Sequence, residues 1–150
     1  MVKKESTTSK KYLNILGIVT LIFGCLVLVG AIIFMAVDFD LQSLGGEYYG
    51  ELLARANGDV KVAKMAIAMT IISTGLGEIL MGWLERRAAK NPEKSTFLLV
   101  LVVLSVISGV FTMVNGGFKD VANACGTIVS LTINVLALMA ILDIRKKIDE

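Results

Sequence analysis

Glu78 is the residue of this chain best placed to do unusual chemistry. It is an acid inside an otherwise apolar run, Met65–Leu84, that holds no Lys or Arg. A carboxylate in hydrocarbon is costly, so such a group marks a functional site by default. Desolvation without a countercharge favours the neutral acid, which both donates and accepts hydrogen bonds. Other chemistry is hard to assemble. The chain has no histidine, and its two cysteines, Cys25 and Cys125, stand far apart in sequence. No metal-ligand set results, so neither a metal nor a cofactor is expected, and the cysteines read as small apolar residues. Intramembrane aspartyl proteolysis needs two embedded aspartates, and the apolar runs contain none. Gly75-Leu76-Gly77 has no strand before it and no Lys-Ser/Thr after it, so it is not a phosphate loop. These residues describe a non-enzyme.

The elements that must hold Glu78 are set by length and hydropathy. Of 150 residues, 55% are hydrophobic and 19% charged, too apolar a balance for an ordinary soluble domain. The apolar residues fall into four blocks, 12–37, 65–84, 97–114 and 121–142. Each can cross a hydrocarbon core about 30 Å thick as a helix. In lipid the backbone must satisfy its own hydrogen bonds, and nothing alternates as barrel strands do. The prediction is an all-α fold, a transmembrane four-helix bundle forming one membrane domain over 12–142. Residues 1–11 read as a basic, disordered tail and 143–150 as a helical tail in water. Lys3–Lys11 followed by Leu21-Ile22-Phe23-Gly24-Cys25 has the outline of a lipoprotein signal. The apolar run continues through Leu26–Val37, where a mature lipoprotein needs a polar tether, so the block is read as a span.

Charge gives the orientation. Eleven Lys and Arg lie on the side of the termini and the loop between spans two and three: Lys3, Lys4, Lys10, Lys11, Arg86, Arg87, Lys90, Lys94, Arg145, Lys146 and Lys147. The other side holds four, Arg55, Lys61, Lys64 and Lys119. The positive-inside rule then places both termini in the cytoplasm. Those basic ends should attract anionic headgroups of the bilayer. They sit on short connectors at a membrane, so nucleic acid is not an expected partner.

The first outer loop, 38–64, is the one sizeable polar segment. Gly45-Gly46 and Asn57-Gly58 are turn signals that bracket Glu47–Ala56. Tyr49, Leu52, Leu53 and Ala56 fall on one helical face, with Glu47, Glu51 and Arg55 on another. This predicts a short amphipathic helix at the outer interface, with Tyr48, Tyr49, Leu52 and Leu53 as its contact residues. It serves as an anchor or as a contact for a partner. Asp59 is placed to cap the second helix, which can run to Asn91 before Pro92 stops it, with Trp83 at the interface and Glu85, Arg86, Arg87 and Lys90 as a charged cytoplasmic extension. Asn115-Gly116-Gly117 joins spans three and four in a tight hairpin.

Each span carries small and polar residues at helical spacing, the pattern through which helices associate in lipid. Gly17, Thr20 and Gly24 lie on the first, Thr70, Thr74, Gly77, Glu78 and Gly82 on the second, Ser105, Ser108, Gly109 and Thr112 on the third, and Asn123, Thr127, Ser130 and Asn134 on the fourth, and these faces should point inward. Counted at 1.5 Å per residue from the cytoplasmic end, Glu78 lies about 9 Å deep and Thr20, Ser105 and Asn134 about 12 Å. A polar cluster centred on Glu78 is therefore expected, with Asn134 its strongest neutral partner. Two roles compete for it: a fixed hydrogen-bond knot, or a proton or cation site. A faint internal echo, Thr20–Gly24 with Ser105–Gly109 and Thr70–Ser73 with Thr127–Ser130, is what duplication of a two-helix hairpin would leave.

Four spans with a membrane glutamate resemble the small multidrug resistance exporters in outline. Those carry their essential acid in the first span and have shorter loops, so no residue role transfers. Claudins and tetraspanins share the span count, yet 38–64 lacks their cysteine signatures. Gly77-Glu78-Ile79-Leu80-Met81-Gly82-Trp83-Leu84, then a basic stretch and Asn91-Pro92, resembles an arm of small, uncharacterised bacterial four-span integral membrane proteins. That resemblance implies a multi-pass protein of the bacterial cytoplasmic membrane and no particular activity. The expected function is helix-mediated assembly with itself or a larger membrane partner. The alternative is a small transporter or channel-like subunit with Glu78 as its proton or cation site.

Overall fold

A computed structural model describes residues 2–37, 50, 53–114 and 121–146. These form helices α1 (Val2–Ala36), α2 (Val60–Lys90), α3 (Thr96–Val114) and α4 (Val121–Lys146), with a 3-10 turn, Pro92–Ser95, between α2 and α3. No strand occurs among the described residues. Thr7–Ala36, Val60–Lys90, Pro92–Val114 and Thr127–Lys146 are each long and apolar enough to cross a membrane. The expected disordered tail is corrected: α1 begins at Val2. Once an apolar helix is nucleated, adding residues is cheap, and no Gly or Pro interrupts residues 2–11.

Two compact units make up the chain, one of residues 20–80 and one of residues 1–19 with 81–150. In the first, Asn57 (φ 53°) and Gly58 (φ 81°) take the left-handed backbone that ends a helical turn. The Gly58 N–H donates to the Leu53 carbonyl at 2.9 Å and the Asn57 N–H to Ala54 at 3.2 Å, a Schellman closure. Residues 53–55 are helical; Tyr48, Tyr49 and Leu52 of the expected amphipathic helix lie outside the described residues. Asp59 Oδ1 accepts from the Lys61 and Val62 N–H groups at 2.8 and 3.3 Å, capping α2. Lys64 Nζ donates to the Val37 carbonyl at 2.9 Å, placing a cation at the negative end of α1. Asp59→Ala should cost about 1 kcal/mol, read as faster hydrogen exchange at the amides of Lys61 and Val62.

The second unit holds the larger core. Leu13 of α1, Leu84 and Ala88 of α2, Leu98 and Val102 of α3, and Ala137, Ile141 and Ile144 of α4 are buried together. Their spacing of three and four residues gives each helix one inward stripe. The other faces of α3 and α4 are apolar and open: Leu104, Ile107, Met139 and Leu142 are each at least half exposed. Water would oppose such a surface and hydrocarbon would not. At the far end of α2, Asn91 takes the extended conformation forced by the following Pro92 (φ −130°, ψ 84°). The chain then turns through the 3-10 segment into α3.

Candidate functional site

Two faces of α2 carry different residues and do different things. The inner face is built from residues small enough to let backbones meet. In the unit of residues 20–80, a Cβ on Gly24 would lie 2.9 Å from both the Gly75 carbonyl oxygen and the Ile79 nitrogen. A Cβ on Gly75 would lie 2.8 Å from Leu28 Cδ2 and 3.1 Å from the Gly24 oxygen. Here α1 and α2 run antiparallel with main chain against main chain. In the other unit, a Cβ on Gly17 would lie 2.6 Å from the Gly82 oxygen and 3.0 Å from the Arg86 nitrogen. The small residues recur every seven positions: Gly17, Gly24, Ala31 on α1 and Ala68, Gly75, Gly82, Ala89 on α2, all buried. Within each unit that spacing keeps the small residues on one face of their helix.

One exposed strip of α2 is polar, beside the exposed apolar Met69, Leu76 and Leu80, and it carries Thr70, Thr74 and Gly77, which were expected to face inward. Thr70, Ser73, Thr74 and Gly77, at i, i+3, i+4 and i+7, are all exposed, and a Cβ at Gly77 would meet nothing within 4 Å. The hydroxyl of Thr70 donates to the Ala66 carbonyl at 3.0 Å and that of Thr74 to Thr70 at 2.9 Å. The pattern repeats in α3, where Thr112 donates to Ser108 at 2.9 Å, and in α4, where Thr132 donates to Ile128 at 2.8 Å. Back-bonding to the preceding turn satisfies the donor and keeps the hydroxyl oxygen as an acceptor for a neighbouring helix.

Glu78 is partly buried, beside the Ile79 that meets Gly24. Thr20 belongs to the same unit, while Ser105 and Asn134 belong to the other. Asn134 spends its amide N–H on the Ser130 carbonyl of its own helix at 3.0 Å. Of the small residues expected at helix contacts, Gly17, Gly24 and Gly82 are buried, Gly109 lies near Leu131 (a Cβ there would be 3.2 Å from Cδ1), and Ser130 is exposed. Gly75, and not the expected Gly77, makes the close approach. Its signal was present as the sevenfold spacing from Ala68 and Gly82.

The second unit adds groups that composition did not suggest. Glu85, expected in a charged cytoplasmic extension, is 4% exposed. The doublets Leu84-Glu85 and Ala88-Ala89 widen the buried face of α2 here and draw Glu85 inward. Ser95 in the 3-10 turn is fully buried. Around them, the Ser9 hydroxyl donates to Asp143 Oδ2 at 2.7 Å and Arg145 Nη1 donates to Thr96 Oγ1 at 2.9 Å. These bonds tie α1 to α4 and α4 to α3. Comparison with family models, curated proteins and solved structures finds no match.

Proposed function

We propose that this is a non-enzymatic integral membrane protein that works by helix-mediated assembly with itself or with a larger membrane partner. The observation that carries this reading is the exposed stripe Thr70, Ser73, Thr74 and Gly77 on α2, a helix long and apolar enough to cross a membrane. A face committed to lipid gains nothing from hydroxyls or a glycine, whereas a face that meets another helix gains close approach and acceptors. The intrachain seam of Gly24 and Gly75 lies elsewhere on the helix, so the stripe is not needed to build the fold. The excess of Lys and Arg beside the termini supports a topology with both ends in the cytoplasm. A bacterial cytoplasmic membrane suits the resemblance of the Gly77–Leu84 arm.

Cysteine crosslinking tests it. In a chain with Cys25 and Cys125 replaced by alanine, Ser73→Cys should form disulfide-linked dimers in native membranes, or a crosslink to one larger partner. Leu104→Cys, on an apolar exposed face, should stay monomeric under the same oxidation. Monomer for both, together with a single copy in mild detergent and no co-purifying protein, would sink the assembly reading.

A further inference from the structure

The outward face of the last three turns of α2 changes character from ring to charge. Trp83 is half exposed, and the Arg87 guanidinium sits over its ring, 5.0 Å from the centroid. Lys90 follows at the next helical position on the same exposed face, and Lys94 is exposed on the turn beyond. One acid, Glu93, is exposed beside Lys94. The neighbouring arginine behaves differently: Arg86 is partly buried, with its stem across Gly17, so the two arginines are not interchangeable. The residues between them and the core, Leu84, Glu85, Ala88 and Ala89, are buried. What remains facing outward is a half-exposed indole followed by two cations, one of them held in place by the ring.

We infer that Trp83, Arg87 and Lys90 form a headgroup site for an anionic phospholipid. The inference rests on the chain lying in a bilayer, and it identifies one chemical partner there. Indole rings settle where hydrocarbon gives way to headgroups. That places the guanidinium one turn further, at phosphate level. Stacking on the ring restricts Arg87, and its planar fork of donors matches two phosphate oxygens at once. Lys90 adds a second cation a turn away. A zwitterionic lipid brings its own cation into this cluster, and an anionic one does not, so charge complementarity selects the latter. The acyl chains then lie along the apolar part of α2 that precedes Trp83.

The chain holds a single tryptophan, which reports on its own site. The full-length protein is reconstituted in vesicles of phosphatidylcholine and phosphatidylglycerol in equal parts, with bromine on the acyl chains of one lipid or the other. Brominated phosphatidylglycerol should quench Trp83 more strongly than brominated phosphatidylcholine. The preference expected is on the order of fivefold for each basic residue at the headgroups. It should vanish in an R87Q/K90Q variant whose tryptophan both lipids still quench. In the unsubstituted chain it should weaken as salt is raised. Equal quenching by the two lipids, a preference that survives R87Q/K90Q, or one indifferent to salt would overturn the site. A preference abolished by inorganic phosphate at constant ionic strength would assign the cations to a free anion and overturn the lipid. Absence of quenching by either lipid would overturn the bilayer placement itself, a failure distinct from the others.

Discussion

Gly24→Ala and Gly77→Ala add the same methyl group and should move stability in opposite directions. At Gly24 the new carbon would lie 2.9 Å from the Gly75 oxygen and from the Ile79 nitrogen. Both are main-chain atoms, and neither can step aside without separating α1 from α2 in this unit. Overpacking of this kind costs typically 1–3 kcal/mol, more than the ~1 kcal/mol that alanine gains over glycine in a helix. At Gly77 nothing lies within 4 Å, so the helical gain stands alone. Heating each variant in mild detergent and following loss of the monodisperse species should place Gly24→Ala roughly 5–10 °C below Gly77→Ala. Equal midpoints would mean that the two helices do not meet at Gly24. The pair also separates folding from assembly, because a methyl at Gly77 falls on the stripe proposed to meet another helix. Gly77→Ala should therefore weaken the crosslink from Ser73→Cys while leaving the chain's own stability intact.

The spans are legible in the sequence and the close approach at Gly75 is not, for a physical reason. Hydropathy measures depth. The four blocks emerged because about 20 apolar residues have to be consecutive to cross hydrocarbon. The ends emerged because Asp59, Asn57-Gly58 and Pro92 act through local geometry that needs no tertiary partner. Azimuth is another matter. A helix that is apolar all round has no dominant polar face to reveal which side is inward. Gly77 reads as an inward position because it shares a polar stripe with Thr70, Thr74 and Glu78. The better guide was the repeat Ala68, Gly75, Gly82, Ala89, which constrains azimuth through size instead of polarity. Glu85 is hidden for a related reason: its neighbours Arg86, Arg87 and Lys90 read as a solvated run, and only the alanines one turn along point to a buried face. The candidate polar cluster rests on helical spacing and on depth, which place its four members near one level without deciding which of them share a side.

Leu104→Arg should abolish insertion of α3, an outcome whose size identifies the medium around the helices. Leu104 lies near the middle of α3 and is 56% exposed, with Ile107 and Phe111 further along the same helix also open. If that face met water, arginine would be tolerated there, since surface substitutions change stability by only about ±0.5 kcal/mol. In a membrane the exchange removes a residue that favours the helix centre by about 0.5 kcal/mol and adds one that opposes it by roughly 2.5–3.5 kcal/mol. The difference is about 3–4 kcal/mol, a shift of at least a hundredfold in the insertion equilibrium. That insertion value already includes the relief that snorkelling gives. Glycosylation mapping of the chain translated into microsomes reads the result directly, as acceptor sites flanking α3 change sides. Leu98→Arg is the control that must fail in either solvent, since Leu98 is fully buried against α2 and α4. An Arg at 104 that leaves the flanking sites where they were would show that α3 does not face lipid at that point. It would then follow that the exposed apolar face of α3 is covered by protein, which would make this helix, and not α2, the first place to look for a partner.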